Sequence, residues 1–372
     1  MDRPTLHFPC FLVMPGVSLV KYIHFTWRNM PLTETLTVVI PMAGWGTRMR
    51  PHTWSKPKPL VSVAGKATLD HLMDLFHTLP ASLETRYIFI VGPYLGERQV
   101  PAHIKAHYPH INARYVLQAE MKGQSHALYL AREYLHGPML MIFSDTLIET
   151  DFASLAEETA DGVAWVKPVP DPRRFGVAEV DGEGNVTRLI EKPDTMENNL
   201  AVVGCYYFRE AEALMAAIEE QMRRDVQLKN EYFLADAINI MLERGARFRT
   251  QQVSVWLDTG TPEATLETNR YLLEHGRANT PTLPEDVTVI PPVFVHPTAT
   301  VTESTLGPNA SVGPNCRIVG SRVAESILEE GVEMTHIAVE KSIIGRQARV
   351  RGRGADAPAV QLNIGDNSSV RL

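Results

Sequence analysis

The chain has 372 residues, of which 44% are apolar and 21% are charged. This length exceeds that of one average domain, and the composition excludes a disordered or fibrous protein. The net charge of -7 argues against nucleic acid as a main partner, because proteins that bind polyanions are usually basic. The three cysteines, Cys10, Cys205 and Cys316, are far apart. Their spacing excludes a disulfide framework and a CxxC zinc site, and it favours a reducing, cytoplasmic location.

An apolar stretch at residues 8–20 is interrupted by proline and glycine. It is too short and too broken to span a bilayer, and it lacks the compact basic start of a secretory signal. We therefore interpret residues 1–32 as an extension, disordered or upstream of a true start at Met30, and we expect no membrane partner.

Strand and helix patterns alternate from residue 36 onward. Residues 36–40 form a β-branched apolar run that we expect to be a strand ended by Pro41, and residues 87–91 and 139–143 are similar runs. Residues 68–79 have helical spacing. This alternation predicts an α/β domain with a Rossmann-like, mostly parallel sheet covered by helices on both faces. In such sheets ligands bind at the carboxyl ends of the strands.

A different pattern begins near Pro281, where helical periodicity stops. Leu306, Val312 and Ile318 recur every six residues, and a glycine follows each of the first two. One inward aliphatic residue every six positions is typical of a parallel β-helix, with an antiparallel β-domain as the alternative. At about eighteen residues per coil, the region after Pro281 would hold roughly four or five coils.

A glycine-rich turn follows the first predicted strand. It reads Ala43, Gly44, Trp45, Gly46, Thr47 and is followed by four cations, Arg48, Arg50, Lys56 and Lys58. Glycines after a strand let backbone N–H groups approach a phosphate, and four nearby cations suit a triphosphate. The turn matches neither a Walker A loop nor GxGxxG.

This segment resembles the signature of the sugar-1-phosphate nucleotidyltransferases, the family of glucose-1-phosphate thymidylyltransferase and UTP–glucose-1-phosphate uridylyltransferase. Further motifs of that family follow in order: Gln118 with Gly123, Ser144-Asp145, Phe175-Gly176-Val177, Glu191-Lys192-Pro193, the run 201–204, Lys229-Asn230-Glu231 with Asp236, and the run 256–260. The resemblance covers residues 36–273, and the tail around 362–366 resembles long forms that carry a left-handed β-helix.

The resemblance implies a nucleotidyltransferase domain at residues 33–280 and a left-handed β-helix of hexapeptide repeats at 281–372. We expect the β-helix to serve stability and assembly into a homo-oligomer, with His336 as a structural residue and no second activity. The implied reaction transfers a nucleotidyl group from a nucleoside triphosphate to a sugar-1-phosphate. dTTP with glucose-1-phosphate is favoured, because the Gln118 segment and the long tail resemble thymidylyltransferases. UTP or another hexose, and a catalytically silent nucleotide-sugar-binding subunit, are the alternatives.

The resemblance also assigns residue roles. Arg48, Lys58 and Lys192 are the catalytic cations; Ala43, Gly44, Gly46, Thr47, Gln118 and Gly123 bind the nucleotide; Gly176, Glu191, Val202 and Lys229 bind the sugar, with Gly176 and Glu191 at its hydroxyls and Lys229 at its phosphate; and Asp145 and Asp258 hold Mg²⁺. These residue types suit a reaction between anions, in which catalysis depends on alignment and on compensating charge. Two departures, Ser144 for a glycine and Lys229 for an arginine, leave the sugar open more than the reaction type.

Overall fold

A nine-stranded sheet forms the centre of the first unit in the computed structural model, which describes residues 35–279 and 282–372. The described residues do not include the predicted extension at 1–32, with Cys10, or Pro281, near which the sequence pattern changes. The strands of this unit are β1 Leu36–Met42, β2 Ser62–Val63, β3 Lys66–Ala67, β4 Thr85–Val91, β5 Asn112–Leu117, β6 Met139–Ile142, β7 Thr146–Ile148, β8 Gly162–Pro168, β9 Gly176–Val180, β10 Val186–Glu191, β11 Leu200–Phe208, β12 Phe248–Gln252 and β13 Trp256–Asp258. The helices are α1 Thr68–Leu75, α2 Leu95–His107, α3 Gln124–Leu130, α4 Ala211–Arg223, α5 Leu234–Glu243 and α6 Pro262–Leu272.

The predicted α/β fold is confirmed, and its sheet is mixed. The strand order is β10-β9-β11-β6-β1-β4-β5, with β8 beside β11 and β12 beside β8. Pairs around β1 are parallel, whereas β11 runs antiparallel to β6, β8 and β9. The parallel half therefore carries the first glycine-rich turn at its carboxyl edge, as a nucleotide-binding sheet requires.

The first strand does not end at Pro41 as expected but continues to Met42. The N–H of Thr37 donates a hydrogen bond to the Pro138 carbonyl, next to β6. The backbone nitrogens of Val39 and Pro41, two and four residues further along the strand, point to the same side. β6 pairs with β1 only as far as Val39. Pro41 therefore interrupts no ladder bond, which is why the strand tolerates it.

Apolar side chains of β1 alternate between two cores. Val39 packs in a cluster with α3, α4 and α5, whereas Val38 and Ile40 pack on the opposite face with α1 and α2. The predicted helix at 68–79 is α1 followed by a 3₁₀ turn, Phe76–Thr78, and its predicted apolar face is buried. Coverage of both faces explains why the strands read as continuous apolar runs.

The second unit consists of parallel strands in three sheets, the arrangement of the predicted left-handed β-helix. One sheet contains β14 Thr288–Val289, β17 Thr305–Leu306, β20 Arg322–Ala324 and β23 Ala338–Glu340. The next contains β15 Val293–Val295, β18 Ala310–Val312, β21 Ile327–Leu328, β24 Ile343–Ile344 and β26 Asn363–Ile364. The third contains β16 Thr300–Thr302, β19 Arg317–Val319, β22 Glu333–Thr335, β25 Arg349–Arg351 and β27 Ser369–Arg371.

Most coils are shorter than the expected eighteen residues, whereas the last is longer, because Ile344 pairs with Ile364, a step of 20 residues. Leu306 pairs with Val323 and Val323 with Val339, which are steps of 17 and 16 residues. The inward spacing of six, from Leu306 to Ile318, shortens to five at later corners. Many corners of the β-helix carry non-glycine residues with positive φ, among them Asn309, Asn315 and His336, so the chain turns tightly. His336 is one of these corner residues and is exposed, consistent with a structural role.

One outer face of the β-helix is covered by the first unit. This docking face is the outward column of the second sheet: Phe294, Ser311, Ile327, Ile343 and Asn363. Ile327 and Ile343 pack against Val63, Ala64 and Leu273. Ser311 donates a hydrogen bond to Asn269 at 2.7 Å, and a Cβ on Gly65 would collide with the Phe294 ring. The two units therefore share a buried contact.

None of the helices in the described residues is long and apolar enough to span a bilayer.

The β-helix core gives a first test. Ile318 is fully buried between neighbouring coils, whereas the adjacent Arg317 points outward. Ile318→Ala should lower the free energy of unfolding by about 2–5 kcal/mol, because a cavity remains where the side chain packed. Arg317→Ala should change it by no more than about 0.5 kcal/mol. Urea denaturation followed by circular dichroism measures both, and equal losses would contradict the assigned inward register.

Candidate active site

A cleft of about 480 Å³ opens at the carboxyl edge of the parallel strands. It is lined by residues of the glycine-rich turn and its flanks and by residues from four other segments: Ala43, Gly44, Trp45, Gly46, Thr47, Arg48, Lys58, Gln118, Gly123, Ser144, Asp145, Glu231 and Gly260. Most of the nucleotide-binding and catalytic residues assigned from sequence therefore lie around one cavity. Glu231, Trp45 and Met121 also line it but were given no role from sequence.

Local packing fixes the conformation of the glycine-rich turn. Gly46 has φ 59°, and a Cβ there would lie 2.9 Å from the Thr53 methyl group. The Thr53 hydroxyl donates a hydrogen bond to the Gly46 carbonyl at 2.8 Å. A larger residue at position 46 would be strained and would collide, so the glycine is required by geometry. The turn leads directly into the short 3₁₀ helix that carries Arg48.

Two aspartates meet beside this turn because β7 and β13 form an antiparallel pair. Asp258 pairs with Thr146, the residue after Asp145, and the Thr259 N–H bonds to the Asp145 carbonyl. The Lys58 ammonium forms an ion pair with the Asp145 carboxylate. A Cβ on Gly260 would lie within 3.3 Å of both the Asp258 carboxylate and an Arg48 nitrogen. Two carboxylates and two cations thus converge at one end of the cleft.

The electrostatics of Asp258 fit a site for a divalent cation. Burial raises the pKa of Asp258, and the negative charge of Asp145 raises it further. Lys58, the Gly260 N–H and Arg48 oppose this shift. A hard cation relieves such crowding between carboxylates, and Mg²⁺ commonly uses one or two protein carboxylates with phosphate oxygens and water. Within residues 35–279 and 282–372, no group of three or more His, Cys, Asp or Glu side chains could hold a metal ion.

The opposite end of the cleft contains Gln118, which is buried at the end of β5. Its amide nitrogen donates to the Gly123 carbonyl at 3.2 Å and contacts the His126 ring at 3.5 Å. Gly123 has φ 95°, and a Cβ there would lie 2.5 Å from the Tyr232 carbonyl oxygen. The close approach connects the Gln118 segment to the loop that carries Glu231.

Two of the predicted sugar-binding residues, Gly176 and Glu191, lie together on β9 and β10. Gly176 pairs with Glu191, whose carboxylate is close enough that a Cβ on Gly176 would lie 3.1 Å from it. Burial raises the pKa of Glu191, Lys192 lowers it, and Asp236 and Glu231 raise it. Gly176 and Glu191 are not among the residues that line the cleft, although Glu231, which lines it, contributes to the pKa shift of Glu191.

Lys192 is held in a strained conformation. It has φ 48° although a proline follows it, a combination that is sterically disfavoured. Its N–H bonds to the Phe175 carbonyl, and its ammonium lies 4.6 Å from the centre of the Phe233 ring and 3.5 Å from Glu191. Residues held in rare conformations by several contacts are frequent at functional sites.

Two predicted sugar-binding residues are less directly placed. Val202 is buried in β11 and is not among the residues that line the cleft. Lys229 lies with Asn230 in a turn where both have positive φ, and its side chain is exposed outside the cleft lining.

The expectation that all four cations near the turn serve a triphosphate is wrong for Lys56. Its side chain is 1% exposed and forms ion pairs with Glu329 and Asp366 of the β-helix. Arg50 is exposed and does not line the cleft. Arg48 and Lys58 are the two of the four that line it.

Comparison with known proteins agrees with this geometry. A family model described as nucleotidyl transferase matches residues 37–275, and one described as GMPPB C-terminal domain matches residues 289–355. The chain belongs to the sugar-1-phosphate nucleotidyltransferase family. A Streptomyces antibioticus glucose-1-phosphate thymidylyltransferase is 31% identical over 91% of the chain and 99% of that protein. A low-salt glycan biosynthesis nucleotidyltransferase of Haloferax volcanii is 30% identical over 90% and 99%.

Solved structures of this family share the fold of the first unit. A Bacillus anthracis protein, provisionally described as a glucose-1-phosphate thymidylyltransferase and solved with sucrose, superposes with a TM-score of 0.56 at 21% identity. It covers 67% of this chain and 98% of its own. A UDP-glucose pyrophosphorylase solved with UDP-glucose gives a TM-score of 0.54 at 20% identity, covering 65% and 99%.

Gly123, which lies beside Gln118 in the cleft, provides a test with a matched control. Gly123→Ala should raise the KM for the nucleotide by about tenfold or more, equivalent to ~1.4 kcal/mol, because the Tyr232 backbone and the Gln118 anchor must shift. Gly245 also has positive φ, but nothing lies within 4 Å of its added Cβ. Gly245→Ala should therefore cost stability alone, by about 1 kcal/mol. Steady-state kinetics and thermal melts separate the two effects, and an unchanged KM in folded Gly123→Ala would contradict the placement.

Proposed function

We propose that the protein transfers a nucleotidyl group from a nucleoside triphosphate, dTTP by preference, to a sugar-1-phosphate, glucose-1-phosphate by preference. The observation that carries this proposal is the convergence of Lys58, Arg48, Asp145 and Asp258 at one end of a cleft whose other end holds Gln118. This arrangement suits a substrate with a phosphate chain at one end and a base at the other. The products are a nucleoside diphosphate sugar and pyrophosphate.

The chemistry requires alignment and charge compensation more than proton transfer. An oxygen of the sugar phosphate attacks the α-phosphorus, the bond from that phosphorus to the bridging oxygen breaks, and pyrophosphate leaves. The attacking oxygen is already an anion, so the barrier comes from repulsion between anions and from misalignment. In our proposal Arg48 holds the departing pyrophosphate through its planar fork, Lys58 contacts the triphosphate near the reacting phosphorus, and Lys192 holds the sugar phosphate.

We further propose that Asp145 and Asp258 hold Mg²⁺, whose charge would offset that of the phosphates. The crowding of the two carboxylates supports this assignment, since burial raises the pKa of Asp258 and the charge of Asp145 raises it further. Lys58 supplies part of the compensation from the protein itself.

Gln118 supports a base with a ring N–H, such as thymine or uracil. Its amide nitrogen is engaged by the Gly123 carbonyl and the His126 ring, which leaves its carbonyl oxygen as the acceptor for a ligand. An acceptor complements the N3–H of thymine or uracil and repels the N3 lone pair of cytosine. UTP is therefore the leading alternative to dTTP, and a Haloferax volcanii relative is named as a UTP–glucose-1-phosphate uridylyltransferase.

Glu191 supports a neutral sugar. A carboxylate near Asp236 and Glu231 can accept hydrogen bonds from sugar hydroxyls, and it would repel a sugar that carries its own carboxylate. We keep glucose as the preferred sugar, with other neutral hexoses as alternatives. A homo-oligomer in the cytoplasm also remains our prediction. The alternative of a silent regulatory subunit is disfavoured by the presence of Lys58, Asp145 and Asp258 in one site.

A substrate matrix tests the proposed function. dTTP, UTP, GTP, ATP and CTP are each combined with glucose-1-phosphate and with glucosamine-, galactose-, mannose- and glucuronic acid-1-phosphates, and pyrophosphate release is measured. The highest kcat/KM should fall in the dTTP or UTP rows with a neutral hexose. Pyrophosphate release with no pair would contradict the transfer reaction, and a preference for ATP or CTP, whose bases lack a ring N–H, would contradict the role of Gln118.

The two aspartates give a sharper prediction. Asp145→Asn and Asp258→Asn should each lower kcat by about a hundredfold or more, ~3 kcal/mol, with a much smaller effect on nucleotide binding. The double variant should lose much less than the product of the two factors, because both side chains serve one cation. Pyrophosphate release across a Mg²⁺ titration provides the measurement.

Two further variants act as controls for this experiment. Asp151→Asn removes an exposed carboxylate that only caps its own turn, so kcat should stay at the wild-type value. Arg48→Lys keeps the charge but loses the fork, so part of the activity should survive with weaker pyrophosphate binding. Near wild-type kcat for both catalytic Asp→Asn variants at saturating Mg²⁺ would refute the assigned centre.

A further inference from the structure

A lysine beside the active-site turn is buried against the β-helix. The Lys56 side chain is 1% exposed, and its ammonium contacts the carboxylates of Glu329 and Asp366, which are 2% and 4% exposed. Glu329 follows β21 and Asp366 follows β26. Both carboxylates therefore come from turns that follow strands of the second sheet, the sheet that carries the docking face. We name Lys56, Glu329 and Asp366 the Lys56 cluster.

The two carboxylates of the cluster also accept hydrogen bonds from residues close to Lys56 in the chain. Asp366 accepts a hydrogen bond from the Ser55 hydroxyl at 2.7 Å, and Glu329 accepts one from the Ser62 N–H at 3.0 Å. On the β-helix side, the Arg346 guanidinium binds Asp366 at 2.9 Å. Each carboxylate therefore has several partners. The charges of Lys56 and Arg346 together balance those of Glu329 and Asp366.

Neighbouring contacts extend this attachment along the segment. The ring of His52, fully buried, contacts the Asn363 side chain, and Gly365 packs against Pro51 closely enough that a Cβ would lie 3.1 Å from it. The β-helix thus holds residues before and after Lys58, namely 51, 52, 55 and 56 on one side and 62 on the other.

This segment has little regular structure of its own. Between β1 and β2 it contains only three 3₁₀ turns, Thr47–Met49, His52–Trp54 and Lys58–Leu60. Pro57 separates Lys56 from Lys58 and Pro59 follows, so the backbone between the buried and the active-site lysine has few alternatives. A displacement of Lys56 would therefore reach Lys58.

We propose that the Lys56 cluster is a positioning device, in which buried carboxylates of the β-helix fix Lys56 and thereby hold Lys58 against Asp145 for nucleotidyl transfer. Lys56, Glu329 and Asp366 are positioning residues, and Lys58 is the group that meets the substrate. The inference rests on the proposed transfer reaction and does not depend on which base or sugar is used.

The physical reason for a catalytic effect is the cost of an unpaired buried charge. Removing the Lys56 ammonium leaves the buried Glu329 carboxylate without its cation in a site closed to water, so the segment must move to hydrate it. A misplacement of about 1 Å at a reacting group can cost on the order of a hundredfold in rate.

Four variants test the proposal in the full-length protein. Lys56→Met keeps the volume and removes the charge, Asp366→Asn weakens the cluster more mildly, and Lys56→Arg keeps the charge. Ser311→Ala is the matched control, because it removes a buried hydrogen bond of the same interface that does not involve residues 51–62. We measure kcat and KM for both substrates together with the melting temperature.

We expect Lys56→Met to lower kcat by about ten- to a hundredfold, with a change of less than about threefold in the nucleotide KM. Lys56→Arg should recover most of the kcat, and Ser311→Ala should lower the melting temperature while leaving kcat unchanged. If Lys56→Met does not fold, Asp366→Asn should show the same split between kcat and KM with a smaller loss.

A double-mutant cycle shows whether the effect passes through Lys58. Lys56→Met introduced into a Lys58→Met background should reduce the residual kcat by less than about twofold, because the group it positions is already gone. Wild-type kcat in folded Lys56→Met and Asp366→Asn, or fully multiplicative losses in the cycle, would overturn the proposal. The wild-type protein is assayed alongside, so the absence of any pyrophosphate release would be recognised as a failure of the proposed function instead.

Discussion

Like charges brought together at the carboxyl edge of the sheet are the constraint on which this structure depends. The pairing of β7 with β13 places buried Asp258 beside Asp145, at a cleft suited to a phosphate chain. Lys58 and Arg48 supply the compensating charge. Both belong to a segment of short 3₁₀ turns, so the charge balance of the site depends on whatever holds that segment in place.

The β-helix holds the segment through two kinds of contact that do different work. Ile327 and Ile343 bury apolar area against Val63 and Ala64, and this contact is non-directional. The ion pairs of Lys56 are directional, and burying three charged groups costs desolvation energy that apolar residues would avoid. Apolar packing therefore accounts for association of the two units, whereas the buried ions specify their register.

Sequence reasoning succeeded where the signal is local. Apolar runs predicted β1, β4 and β6 because a sheet covered on both faces needs apolar residues at every position. The glycine-rich turn and the aspartates after apolar runs followed from their position at strand ends, and the family motifs added the order in which they occur. Gln118 and Asp145 accordingly lie at opposite parts of one cleft.

Interactions between distant parts of the chain escaped this reasoning. Lys56 meets Glu329 and Asp366 across 273 and 310 residues, and its local context is that of a phosphate-binding lysine. Strand continuation through Pro41 depends on where β6 stops, which the sequence of β1 does not encode. The coil length depended on corner geometry, since the inward spacing falls to five residues from Ile318 to Val323, which the six-residue repeat from Leu306 to Ile318 does not show.

Occupation of the docking face restricts how the β-helix can join copies of the chain. Its second sheet already packs against the first unit, so only the outer faces of the other two sheets are left for assembly. On the third sheet Arg351 lies directly opposite Arg371, and both are exposed. Like charges placed opposite each other in a sheet repel, and two such faces would repel each other as well. The first sheet presents Arg322 and Glu340 among the smaller side chains of Thr305, Ala324 and Ala338, so its charges offset each other and it can approach a copy of itself at lower electrostatic cost.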